Sequence, residues 1–259
     1  MNPDRIIAIV NQKGGVGKTT TSINLAAALA AKGLKVLLID MDPQGNASTG
    51  LGIPRALRDK TIYNVLTDGL SVDEAISPTE VQNLSVVPSP VDLSAAEMEI
   101  GQTDGRTRIL RDAIAAAKSK FDYVMIDCPP SLNLLTINAL SAARSVIVPL
   151  QCEFFALEGL SQLLQTVEMA KSSINPALAI DGVMLTMYDR RNRLSAQVAE
   201  DVRKHLGRAV FETIIPRNVR IAEAPSFGQP VISYAPNSKG AKAYLALADE
   251  LIKKHRNRK

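Results

Sequence analysis

The sequence lacks several things that would define other classes of protein. Of its 259 residues only Cys128 and Cys152 are cysteines, too few for a disulfide framework or a four-cysteine metal centre. Both are expected to be reduced core thiols of a cytosolic chain. Aromatic residues make up 4% and tryptophan is absent, while Ala and Leu abound; that argues for a helix-rich α/β protein over a β-sandwich. No stretch approaches the roughly 20 apolar residues of a membrane span. The apolar run near the N-terminus is too short for a signal peptide and leads straight into a loop. Repeats, low-complexity tracts and linkers are also missing. A soluble, cytoplasmic chain forming a single domain over 1–259 is therefore expected. The net charge of +4 is a weak pointer to an anionic partner, which only its distribution can strengthen.

What is present is an alternation of short apolar runs and longer helical patterns. Arg5–Val10, Lys35–Asp40, Leu84–Pro88, Tyr123–Asp127, Ser145–Leu150 and Ile180–Thr186 read as strands covered on both faces, because they are apolar almost throughout. Helices are expected at Thr19–Lys32, stopped by Gly33, and at Arg106–Lys118, Leu157–Lys171, Ala196–Leu206 and Lys239–Lys254. Residues 45–82 are the least regular and are expected to form short helices on a rim. Strand and helix in repetition imply a doubly wound, mostly parallel sheet with helices on both faces.

Residues 12–19, QKGGVGKT, nearly match a phosphate-binding loop, a glycine and four free positions followed by Gly-Lys-Ser/Thr. Gly17, Lys18 and Thr19 fit; Gln12 replaces the first glycine, and an extra cation, Lys13, stands beside it. A strand precedes the loop and a helix follows it. The backbone N–H groups of Gly14, Gly15, Val16, Gly17, Lys18 and Thr19 would converge on phosphate oxygens at the positive end of that helix. Lys18 would reach the β- and γ-phosphates, and the Thr19 hydroxyl would ligate Mg²⁺. A ligand-free strand–helix turn is the bland alternative, and the glycine pattern speaks against it. In such sheets ligands sit beyond the carboxyl ends of the strands. There the second strand ends in Asp40-Met41-Asp42 and a later one in Asp127-Cys128-Pro129-Pro130. A lone strand-end Asp is often only a helix cap, but these accompany a phosphate loop.

With these motifs assembled, Lys13–Thr20 resembles the deviant Walker A motif of the ParA/MinD ATPases, a branch of the P-loop NTPase fold. Leu37–Ser48 resembles their second motif, and Val124–Ser131 their Walker B and switch II. Pro149–Leu160, Leu185–Ser195 and Ile215–Val231 are similar to chromosomal, Soj-type ParA in particular. The likeness runs from Ile6 to about Leu251. It implies ATP and Mg²⁺ as cofactors, slow switch-type hydrolysis, and a homodimer closed by ATP in which Lys13 reaches the partner's nucleotide. It implies that Asp42 positions the attacking water, that Asp127 holds Mg²⁺ through water with Thr19 the direct ligand, and that Thr20 contacts the α-phosphate. Pro216 and Asn218 match the adenine-contacting segment. Asp40 supports either magnesium or the loop.

The family divides by what its members act on. MinD-like members end in an amphipathic membrane-targeting helix; here an apolar stripe at 244–252 is followed by KKHRNRK, read as a solvated basic tail over 253–259, so no membrane is expected. With so few residues before the first strand, no helix-turn-helix domain is expected. Between 186 and 220 eight Lys or Arg face four acids, a surplus of four equal to that of the whole chain. An ordinary solvated helix face is the bland reading. The resemblance favours non-specific duplex DNA binding, by Arg191 first, then Arg190, Arg193, Arg203 and Arg220, then Lys239 and Lys242. It also implies a ParB-like centromere-binding partner and association with the nucleoid. A MinD-like or cargo-positioning ATPase on a membrane or protein scaffold is the alternative.

Overall fold

Runs that are apolar at every position have to be covered on both faces, and they form the middle of the sheet. The computed structural model describes residues 5–154 and 156–257. Its strands are β1 (Ile6–Ile9), β2 (Val36–Asp40), β3 (Ser77–Pro78), β4 (Leu84–Val87), β5 (Tyr123–Asp127), β6 (Ser145–Gln151) and β7 (Ala179–Thr186). They pair in the order β3-β4-β2-β5-β1-β6-β7. All neighbours are parallel except β3, a two-residue edge piece antiparallel to β4. Alternate residues of one strand enter opposite cores. Ile6 and Ala8 belong to one cluster, Ile7 and Ile9 to the other.

The helices divide between those two faces. The first, α1 (Lys18–Ala31), is rich in alanine and lies almost wholly buried. Its small side chains let it sit close to the sheet beneath the last helix. It ends where Lys32 and Gly33 donate back to Leu29 and Ala30, with Gly33 at φ 81° as the expected stop. The irregular stretch then contributes α2 (Asn46–Gly50), α3 (Ile62–Thr67) and α4 (Val72–Ala75) on the rim. Next come α5 (Leu93–Ile100), α6 (Ile109–Ala116), α7 (Leu134–Ala142), α8 (Ala156–Ser173) and α9 (Arg193–Leu206). With α3 they cover the face opposite α1. Two short helices, α10 (Val219–Glu223) and α11 (Val231–Tyr234), lead into α12 (Lys239–Arg256).

Four helices, α5, α7, α10 and α11, fall outside the sequence expectations. The α7 segment has no polar face, since Thr136, Asn138 and Ser141 are buried along with its apolar residues, so no amphipathic period marks it; seven of its nine residues are buried. The expected tail from residue 253 needs correction. The helix continues through Arg256, with His255 only 8% exposed and bonded to Asp181 and Tyr123. Residues 258 and 259 of that tail lie outside the described residues.

Candidate functional site

The phosphate loop begins at the carboxyl end of β1, in the centre of the sheet. Asn11 fixes its entry: the side-chain N–H donates to the Pro149 carbonyl (2.7 Å), and Oδ1 accepts from the Lys13 N–H (3.0 Å). Gly15 and Gly17 adopt φ of 76° and 92°, values that side chains with a Cβ rarely reach. A Cβ at Gly14 or Gly15 would meet nothing within 4 Å, so the loop faces open space. From the far side, the Thr186 hydroxyl at the end of β7 donates to the Val16 carbonyl (2.9 Å).

Gln12, standing where a glycine is usual, turns its side chain away from this space. Its Nε2 donates to the Thr166 hydroxyl of α8 at 3.1 Å. The two lysines diverge as well. Lys18 is 6% exposed, and its Nζ donates to the Lys13 carbonyl (3.1 Å) across the loop. Burial pulls its ammonium below the ordinary lysine value, while the nearby Asp127 and Asp42 carboxylates hold it up. Lys13 points outward and pairs with Glu153 at 2.6 Å, both side chains about half exposed.

Strand pairing brings the acids together. Asp40 and Asp127 are register partners on β2 and β5, and both are fully buried. Asp127 Oδ1 accepts from the Ser22 hydroxyl (2.8 Å). Its Oδ2 is buried with no hydrogen-bond partner, although the Thr19 hydroxyl lies near enough to favour the charged form. Desolvation, and then the neighbouring Asp40 charge, raise the Asp127 carboxyl above the usual carboxylate range. Asp40 is raised too, by desolvation, but its oxygens are engaged. Oδ2 accepts from the Ser48 N–H (2.8 Å) and hydroxyl (2.6 Å), and Oδ1 from the Asp42 N–H (3.2 Å). Asp40 thus ties the loop after β2 together, whereas Asp127 offers a free buried oxygen. Cys128 and Cys152 are buried thiols, the first pushed well above the ordinary value and the second up to about 11 by burial.

Two cavities open at the same end of the sheet. One, of about 280 Å³, is lined by Gly17, Thr20, Met187, Pro216, Asn218 and Tyr244, among others. It brings the two residues expected at a base beside the end of the phosphate loop. Met187 lies in its wall at φ 52°, unusual for a residue with a side chain. Asn218 caps α10, its side chain accepting from the Arg220 N–H. The second cavity, of about 730 Å³, gathers Arg190, Arg191, Arg217, Lys239 and Lys242 around Asp189, five cations against one carboxylate. Arg217 belongs to the basic run between 186 and 220, but the sequence does not show that it joins residues 188–191. The join is made by backbone: Tyr188 N–H donates to Ile215 O (3.1 Å), and Arg217 N–H to Tyr188 O (3.0 Å).

Arg191 grips Asp189 with Nε and Nη2 at 3.1 and 3.0 Å, and that pairing holds the Asp189 carboxyl down at about 2. The other expected DNA contacts lie outside the lining of this groove. Arg203 turns to Glu212 (3.3 Å) and the Phe211 and Glu212 carbonyls, and Arg220 to Glu223 (2.8 Å). Arg193 starts α9.

A glycine-bearing loop at a helix N-terminus, flanked by strand-end acids on a doubly wound sheet, defines a P-loop nucleoside triphosphatase. A family model described as an AAA domain matches residues 4–180. The chain is 59% identical to the chromosome partitioning protein ParA of Caulobacter vibrioides, over 99% of this chain and 97% of that one. It is 54% identical to the sporulation initiation inhibitor protein Soj of Bacillus subtilis, over 95% and 98%. Among solved structures, the cell division ATPase MinD of Pyrococcus furiosus superposes with a TM-score of 0.81 at 34% identity, covering 96% and 99% of the two chains. A cobyrinic acid a,c-diamide synthase from Mycobacterium smegmatis, with bound ADP and magnesium, gives 0.86 at 37%, covering 98% and 96%. The chain belongs to the ParA/MinD family of P-loop ATPases and stands close to chromosomal ParA.

Proposed function

We propose that this chain is a DNA-partitioning ATPase, cytoplasmic and nucleoid-associated, that binds ATP as a homodimer, coats duplex DNA without sequence preference, and lets go when a ParB-like protein stimulates hydrolysis. The observation that carries this reading is a shared wall. Pro216 and Arg217 line both the cavity beside the phosphate loop and the five-cation groove. The chromosome partitioning proteins at 54–59% identity support it.

In this reading the N–H groups of Gly14 to Thr19 and the Lys18 ammonium hold the phosphates, Thr20 touches the α-phosphate, and Pro216 and Asn218 hold the base. The donor set suits magnesium. Asp127 Oδ2 is an unpartnered buried oxygen, and the Thr19 hydroxyl stands nearby. The described residues contain no acid, His or Cys cluster that would hold a metal without the nucleotide's phosphates. An ion held by Thr19, and by Asp127 through water, would neutralise phosphate charge. Asp42 orients the attacking water. Lys13 serves the partner's nucleotide. Its pair with Glu153 is half exposed, so releasing it costs about 1 kcal/mol or less. Turnover is slow because hydrolysis resets a switch.

A membrane-acting relative is the other reading. Against it, α12 buries Tyr244, Leu247, Ala248 and Leu251 in the core, so its apolar stripe is not free for a bilayer. No described helix is long and apolar enough to cross a membrane. Co-sedimentation with random duplex DNA and with anionic liposomes, each with and without ATP, separates the two. ATP-dependent DNA binding is expected. Liposome binding without DNA binding would overturn the proposal.

A further inference from the structure

The turn that carries Asp42 is held by residues far from it in sequence. Asp42-Pro43-Gln44-Gly45 closes with the Gly45 N–H on the Asp42 carbonyl at 2.8 Å. Gly45 is at φ 62°, and a Cβ there would run into Arg58 Nη1 and lie 3.2 Å from the Ser89 carbonyl, so glycine suits both the backbone and the space. The same Asp42 carbonyl accepts a second, shorter bond (2.7 Å) from the hydroxyl of Ser89, just past the end of β4. Ser89 is fully buried, and its N–H donates to the Ser48 hydroxyl (3.0 Å), which in turn donates to Asp40.

Arg58 locks this arrangement from outside. It is 8% exposed, yet its acceptors are neutral: the Ser89 carbonyl (2.9 Å), the Ile53 carbonyl twice (3.2 and 2.8 Å) and the Thr49 hydroxyl (2.8 Å). A buried guanidinium usually meets a carboxylate. Here four of its five donors are spent on joining the 45–58 segment to the end of β4. Every backbone polar group of Asp42 is thereby fixed, and Oδ1 accepts from the Gln44 N–H (2.9 Å). Among the described residues Oδ2 alone is left without a partner on this side chain.

We infer that Ser89, clamped by Arg58, is a positioning residue for hydrolysis that sets the Asp42 carboxylate through the hydrogen bond to its main-chain carbonyl. This rests on the reading of Asp42 as the carboxylate that orients water. A nucleophile-orienting group displaced by a fraction of an ångström loses rate while leaving the phosphate contacts of the loop untouched.

Four full-length proteins test it by calorimetric titration with ATP and single-turnover phosphate release: wild type, Ser89→Ala, Asp42→Asn and the double variant. Ser89→Ala should lower the hydrolysis rate by roughly ten- to a hundredfold, with ATP affinity within about twofold of wild type. In the Asp42→Asn background the same change should cost no further rate, because there is no carboxylate left to place. Arg58→Met should reproduce the rate loss; if it fails to fold, Ser89→Ala still decides. Normal hydrolysis by Ser89→Ala beside an impaired Asp42→Asn would overturn the inference and spare the reading of Asp42. Rate and ATP affinity falling together, or equal losses in both backgrounds, would make Ser89 a purely structural residue. Normal hydrolysis by Asp42→Asn would remove both.

Discussion

The phosphate loop and the basic groove lie at the same end of one sheet, flank a common cavity, and are built in opposite ways. The loop comes from eight consecutive residues. Its Lys18 charge is buried, and two carboxylates oppose the effect of burial on it. The groove is assembled from residues 188–191, 214–217 and 239–243, and the Arg191 side chain is 89% exposed. Buried charges act singly and strongly, while exposed ones act by number and are screened by salt. Perturbing the loop should therefore be all-or-none, and perturbing the groove graded.

The largest effect is expected from Lys18→Met. Losing the buried charge that spans the loop should weaken nucleotide binding by on the order of a hundredfold or more. A loss under tenfold by calorimetry would show that the loop's N–H groups suffice alone. Next comes Lys13→Ala, five residues away but outside the loop's interior. Nucleotide affinity should hold within about threefold, while the ATP-dependent dimer and hydrolysis disappear. Light scattering and phosphate release check this; a variant that still dimerises and hydrolyses normally excludes the cross-subunit role.

On the groove side, Arg191→Glu should weaken duplex binding by roughly tenfold and lower the salt slope by about one, with ATP binding intact. Arg203→Ala, whose guanidinium is turned to Glu212, should change it by less than about twofold. Equal effects would place the DNA surface elsewhere. A last effect concerns stability. The folded Asp127 carboxyl is raised above the ordinary 3.8, so its stabilisation is complete below pH 3.8 and is lost as pH rises through the folded value. Without nucleotide, Asp127→Asn should remove that decline and gain on the order of 1 kcal/mol near neutrality. Melting curves against pH that are parallel for the two proteins would rule this out.

The contrast also explains what could be read in advance. Ile6–Ile9 and Tyr123–Asp127 were legible as central strands because apolar residues on both faces admit few other uses. The phosphate loop was legible because its glycines, Lys18 and Thr19 must be adjacent to surround one anion. Helix α7 was hidden by burial on every side, and α12 runs into what looked like a solvated tail because His255 meets Asp181, 74 residues earlier in sequence. Asn11, Gln12 and Ser48 gave no signal of their roles, since each acts through a partner that only folding supplies.

By itself, then, the sequence determined the sheet's central strands, the phosphate loop and the acids at the strand ends, because these depend on local order and on burial period. Tertiary structure alone decided that Asp40 ties a loop while Asp127 keeps a free oxygen, although both end a strand in Asp. It decided that Arg217 joins Arg190 and Arg191 while Arg203 turns away. The physical reason is the same in each case: a polar side chain's role is set by the partners that satisfy it, and those partners arrive from distant parts of the chain.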